Sequence, residues 1–152
     1  MGIYDSVQEA VDFAFNRALE ETANDDLILF MEDDIVFSSR FLQELLSMPI
    51  EPDTGFVSLY APGSEYGSHE IRPDQFYGTQ CVLFPRRSIQ EIVQNWIEIK
   101  TRIPPGYDIR WSRFLGERGY KLYCTNRSYV QHLQSRSRLH NSSSHVSNSF
   151  VG

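Results

Sequence analysis

Helical spacing and short all-apolar runs alternate along this chain. Val7, Ala10, Val11, Ala14 and Ala18, with Leu19 adjacent, recur at the period of one helical stripe facing a core. Ser6-Val7-Gln8-Glu9 has the pattern of a capping box at its start, and the helix is expected to end near Asn24-Asp25. Leu27-Ile28-Leu29-Phe30-Met31 is apolar throughout and too short for a lone helix, so it reads as a strand buried on both faces. Ser38 or Ser39 can then cap a second helix with Phe41, Leu42, Leu45 and Leu46 inward, ended at Met48-Pro49. Strands are predicted at Gly55 to Tyr60 and at Cys81 to Phe84, with a loop from Ala61 to Tyr77 long enough to suggest substrate contact. Ser88-Ile89-Gln90-Glu91 repeats the capping box and opens a helix to about Lys100, its core side Ile89, Ile92, Val93, Trp96 and Ile99. After the stiff Pro104-Pro105-Gly106 turn comes a helix through Ile109, Trp111, Phe114 and Leu115 to Gly119, then short extended runs at 122–125 and 129–133.

This pattern predicts one α/β domain over residues 1–133. A helix running into a buried strand is half of a βαβ unit, so a further parallel strand is expected beside it, one that the residues ahead of Leu27 do not supply. Residues 134–152 differ in material: seven serines interleaved with Arg136, Arg138, His140 and His145, and few apolar side chains. Their composition predicts a flexible tail that orders only around a ligand.

Composition narrows the picture. The 152 residues suffice for a real core, and 41% hydrophobic with 22% charged residues is ordinary for a globular chain. No apolar run is long enough for a membrane span, and the start lacks a secretory pattern. Cys81 and Cys124 sit in apolar runs and read as small buried hydrophobes in a reducing compartment, so a cytoplasmic protein is expected. Asn126-Arg127-Ser128 and Asn141-Ser142-Ser143 match the glycosylation pattern only by chance on that reading. The net charge of −6 is unevenly spread: residues 1–53 hold 13 acidic and 2 basic side chains, residues 54–152 hold 7 and 12. A pI near 5.1 argues against a nucleic-acid partner. An acidic end facing a basic end suits an anionic ligand bridged by a cation.

The candidate chemistry starts at Glu32-Asp33-Asp34, directly after the first apolar strand. Three adjacent carboxylates repel one another, and a hard divalent cation such as Mg²⁺ or Mn²⁺ with oxygen ligands relieves that. In open α/β sheets, ligands bind at the carboxyl ends of strands. Asp108, beyond the Pro-Pro-Gly turn, occupies a helix N-cap or first-turn position, a structural role in its own right.

Taken in order, these motifs resemble the catalytic half of a GT-A glycosyltransferase, over about residues 5 to 140. Phe30-Met31-Glu32-Asp33-Asp34-Ile35-Val36 is similar to that family's DXD-type motif, and Gly78-Thr79-Gln80 to its glycine-containing loop near the sugar. Asp108 falls where inverting members place the catalytic carboxylate. His132 matches a late histidine that completes the metal shell, and Ser135 to His140 resembles a tail closing over the diphosphate. The resemblance implies a truncated Rossmann-like GT-A core, a mixed sheet with flanking helices. It implies transfer of a sugar from a nucleotide-sugar donor to a hydroxyl acceptor, with inversion and with Mn²⁺ or Mg²⁺ as cofactor. Asp34, Glu32 and His132 would be the metal ligands. Glu32, Asp33, Gly78, Thr79, Gln80, Arg136, Arg138 and His140 would hold the donor, and Asp108 would be the general base. Family members carry a nucleotide-binding portion ahead of the metal motif, whereas 31 residues precede Glu32 here. Three alternatives follow: a fragment, a natural remnant, or a chain whose fold a homo-oligomer or partner chain completes. Two other readings share the sequence: a non-catalytic nucleotide-sugar or carbohydrate-binding remnant, and an interaction module whose exposed sheet edge pairs with another chain.

Overall fold

The computed structural model describes residues 3–61, 69–76, 78–133 and 147–152. In chain order its elements are α1 (Ile3–Glu21), β1 (Leu27–Met31), β2 (Ile35–Phe37), α2 (Phe41–Leu46), β3 (Thr54–Ser58), β4 (His69–Ile71) and β5 (Cys81–Pro85). There follow α3 (Arg86–Gln94), α4 (Trp96–Arg102), α5 (Tyr107–Glu117), β6 (Lys121–Cys124) and β7 (Val130–His132). Five strands form one sheet in the order β1-β5-β3-β6-β4, and β2 and β7 form a second, two-stranded sheet. Among the described residues only β3 and β6 pair in parallel; β1–β5, β3–β5, β4–β6 and β2–β7 are antiparallel. The fold is α/β, as the pattern predicts, with the mixed sheet and flanking helices that the resemblance implies. The parallel neighbour expected for β1 is not found among the described strands, where β1 pairs only with antiparallel β5.

Strand alternation divides the interior in two. Phe56 of β3, Val82 and Phe84 of β5 and Leu122 of β6 face the larger core with Val11, Phe15, Ile89, Ile92, Ile99, Trp111, Phe114 and Leu115 from α1, α3, α4 and α5. Val57, Cys81 and Leu83 face the opposite way, meeting Phe41, Leu59, Tyr60 and Val130. β3 and β5 are accordingly buried along their whole length.

β1 departs from expectation. It spans the predicted residues but ends the sheet, with β5 on one side, so its faces are half-covered and Leu27 and Met31 are 44% and 46% exposed. An apolar run alone cannot separate a central strand from an uncovered edge. α1 also differs: it is already helical at Ile3, so Ser6 lies inside it, and its buried positions are Val11 and Phe15, with Ala10 and Ala14 exposed. The larger aromatic at Phe15 captured the core in place of the alanines. α2 is capped by neither Ser38 nor Ser39; its N-cap is Arg40, without a side-chain bond, and Leu42 and Leu46 face outward.

Ser88 likewise lies within α3, because Pro85 ends β5 and starts the helix in one step, with φ −59° and ψ 138°. The long helix predicted to Lys100 is broken at Asn95, whose side chain donates to the Glu91 carbonyl at 2.8 Å and accepts from Arg118 at 3.1 Å. The expected 61–77 loop contains β4, and the expected 129–133 run contains β7, paired with a strand, β2, that the pattern did not single out. Near the end of the chain, Ser147 donates its hydroxyl to the Ala61 carbonyl and its N–H to Gln131 Oε1 at 3.0 Å. Ser149 Oγ accepts from Ser128 N at 2.9 Å. The part of the expected tail that is described is therefore docked onto the ends of β3 and β7.

Candidate metal and ligand site

The carboxyl end of β1 meets the start of β5 because the two strands run antiparallel, and the pairing continues past them: Glu32 N donates to Gln80 O at 3.0 Å. This brings Gly78-Thr79-Gln80 beside the acidic triplet. The Thr79 hydroxyl donates to Glu32 Oε1 at 2.7 Å. The Tyr107 hydroxyl reaches the same oxygen at 3.2 Å, and the two hydroxyls are 3.1 Å apart. Tyr107 is the first residue of α5. It is delivered there by Gly106, whose φ of 119° a side chain would resist. Gly78 is favoured by its φ of 108°, a conformation that side chains rarely adopt.

A second pairing supplies the rest. Leu133 N donates to Asp34 O at 2.7 Å, and the β2–β7 register sets Ile35 opposite His132. His132 Nε2 consequently lies 3.1 Å from Asp34 Oδ2. Its Nδ1 is 2.8 Å from the Leu133 carbonyl, so both ring nitrogens face acceptor oxygens, and a cation that took the Nε2 lone pair would leave the proton on Nδ1. Glu32, Asp34 and His132 can each offer one donor atom such that all three lie within 4.8 Å of one another. Asp34 Oδ1 is buried with no hydrogen-bond partner among the described residues. Two carboxylate oxygens and an imidazole nitrogen suit a borderline or hard divalent cation, and a buried, unpartnered carboxylate oxygen fits one directly.

Burial pushes the Tyr107 hydroxyl up to about 12, and the negative charge of Glu32 adds to the shift. Tyr107 is therefore a donor to Glu32 over the whole physiological range. Asp108 follows it and is half-buried; its Oδ1 accepts from Ile109 N at 2.9 Å, the local bond of a helix-start residue. Its charge is also among the causes that raise Tyr107, so it lies close to this group.

The structure thus brings Glu32, Asp34, His132, Thr79 and Gln80 together. Asp33 points elsewhere: it is exposed and outside the three-residue group. Arg136, Arg138 and His140 lie outside the described residues. Tyr107 is the site residue that the sequence reading passed over. Its only sequence signal was its place between a glycine turn and Asp108, where the neighbouring carboxylate drew the attention. Among the described residues, no helix is long and apolar enough to cross a membrane. No protein-family model matches the chain, and no curated protein matches it.

Proposed function

We propose that this chain is a metal-dependent inverting glycosyltransferase that moves a sugar from a nucleotide-sugar donor to a hydroxyl acceptor. The observation that carries the reading is the convergence of Glu32, Asp34 and His132 at the carboxyl end of β1, with one Asp34 oxygen buried and unpartnered. Thr79 and Tyr107 support it by holding Glu32 through its Oε1.

Glu32, Asp34 and His132 would hold Mn²⁺ or Mg²⁺, which when bound neutralises charge on the donor's diphosphate. His132 would offer Nε2 while the Leu133 carbonyl keeps its ring in place. Asp108 takes the proton of the acceptor hydroxyl, and that oxygen forms the new bond to the anomeric carbon as the diphosphate leaves with its bonding pair from the opposite face. Arg136 and Arg138 carry the forked donors that suit the departing diphosphate. Cytoplasmic localisation belongs to the same proposal.

Calorimetry against a panel of nucleoside diphosphates and their sugars, with and without Mn²⁺, tests it. Metal-dependent binding of one nucleotide class supports the reading; nucleotide binding that ignores metal, or none at all, removes it.

A further inference from the structure

β1 is the most apolar strand of the molecule and stands at the end of its sheet. Which backbone groups it leaves open follows from its pairing. Glu32 N donates to Gln80 O and Arg86 N donates to Asp26 O, so the even-numbered residues turn their N–H and C=O groups to β5. Leu27, Leu29 and Met31 turn theirs the other way, where no described strand lies. The side chains of these same three residues share one face, and two of them are nearly half exposed.

Edges of this kind are normally blunted by shortness, by proline, by a bulge or by a charge in the strand. The opposite edge of the sheet is: β4 has three residues and carries His69 and Glu70. β1 has none of these devices, for its register against β5 runs unbroken from Leu27 to Met31. Its charges sit just beyond its ends, Asp25 and Asp26 before it and Glu32 and Asp33 after it. A second copy laid antiparallel about Leu29 would set Asp26 against Glu32 and Asp25 against Asp33, and like charges directly opposite are destabilising. Arg86 does not relieve the first pair, because its guanidinium is turned to the Leu19 and Thr22 carbonyls at the end of α1.

We infer that the open edge of β1 is a docking site for an extended segment of a partner polypeptide, with an apolar centre and basic residues at both ends. Main-chain bonds to Leu27, Leu29 and Met31 supply the pairing, and the flanking carboxylates select against acidic strands and against the chain itself. This inference needs neither metal nor nucleotide; it shares Glu32 with the sugar-transfer reading, so its test uses the metal-free protein.

The test is amide exchange of the protein with a Lys-Lys-Val-Thr-Val-Thr-Val-Lys-Lys peptide, its Glu-flanked counterpart, and the Lys-flanked peptide N-methylated along one edge. The Lys-flanked peptide is expected to slow exchange at Leu27, Leu29 and Met31 by about tenfold or more and to weaken with salt, as charge pairing requires. The other two peptides are expected to leave those amides unchanged. Leu27→Pro removes one open-edge donor at a position where proline is tolerated, and should lose the protection while keeping the melting temperature. Unprotected amides with the Lys-flanked peptide, or equal protection by the Glu-flanked one, overturn the inference. So does protection without peptide in a chain that sediments as a dimer, which would assign the edge to a second copy.

Discussion

The two faces of the central sheet are built to different standards. On one, α1, α3, α4 and α5 close over a continuous core in which Phe15, Phe30, Phe84 and Tyr107 pack around Trp111, ring centroids 5.0 to 5.3 Å from the indole. On the other, the cover is a six-residue helix, α2, and two three-residue strands, β2 and β7. Leu42, Leu46 and Phe37 remain exposed there. Beneath this thin layer is a cavity of about 430 Å³ bordered by Met48, Val57, Tyr123 and Tyr129. The chemistry sits at the seam. Glu32 is held by Thr79 and by Tyr107, whose ring belongs to the thick side, whereas Asp34 and His132 are held by the thin side's own β2–β7 pairing. The packed face thus holds Glu32, and the light face holds Asp34 and His132.

The largest expected effect separates the faces by stability. Trp111→Ala empties a fully buried site and should cost about 3–5 kcal/mol, read by denaturant unfolding. Leu46→Ala, at 85% exposure on α2, should stay within about 0.5 kcal/mol. Comparable losses from the two would erase the distinction.

Next comes the seam. If Asp34 is a metal ligand, Mn²⁺ at about a hundred times its dissociation constant should stabilise the native state by roughly 2.7 kcal/mol. Asp34→Asn should abolish that rise in melting temperature and leave the metal-free protein folded. A retained Mn²⁺ response would take Asp34 out of the shell.

Asp108→Asn sharpens the contrast from the thick side. As a helix-start residue it should be nearly harmless to stability, because asparagine caps as well as aspartate. As the general base it should lower turnover by about a hundredfold or more while donor binding holds. Full turnover in the variant would leave Asp108 only its bond to Ile109.

The smallest effects are spectroscopic. The absorbance of Tyr107 is expected to titrate near 12, and substitution of Glu32 by glutamine should bring it down, since burial and that charge both raise it. Because its folded value lies above the ordinary tyrosine value, its contribution to stability is complete at neutral pH and is lost as pH climbs from 10 towards 12. A Tyr107 that titrates near 10 would mean the packed side is open to water at the seam. Cys81 and Cys124 bracket the same question, one on each face. Burial pushes both up to about 12, so both should resist alkylation until the chain unfolds.

Much of this was legible in the sequence wherever burial and period agreed. β3, β5 and α5 fall close to their predicted positions because each is apolar enough to be central or amphipathic enough to have one inward stripe. Glu32, Asp34, Thr79 and His132 were each visible as residues, but their meeting depends on two antiparallel registers, β1 with β5 and β2 with β7, which no local pattern encodes. The failures have local causes. Both capping boxes lie inside helices, since a neighbouring backbone start, Pro85 for α3, overrode the side-chain signal. β2 and β4 are three residues each, too short for a period to declare itself. The edge position of β1 is a property of what lies beside it, and its apolar run reads the same either way.

The parallel pairing of β3 with β6 has a consequence for how the molecule is made. The crossover between them contains β4, β5 and three helices, and β1 must also wait for β5 before it has any neighbour. Closing such long loops precedes any gain from the contacts they bring, so the chain belongs among the slow folders. During translation, the apolar β1 and the shorter apolar stretch of β3 emerge well before their partners do. Over that interval the acidic residues at both ends of β1 act as gatekeepers, discouraging nascent chains from pairing with one another.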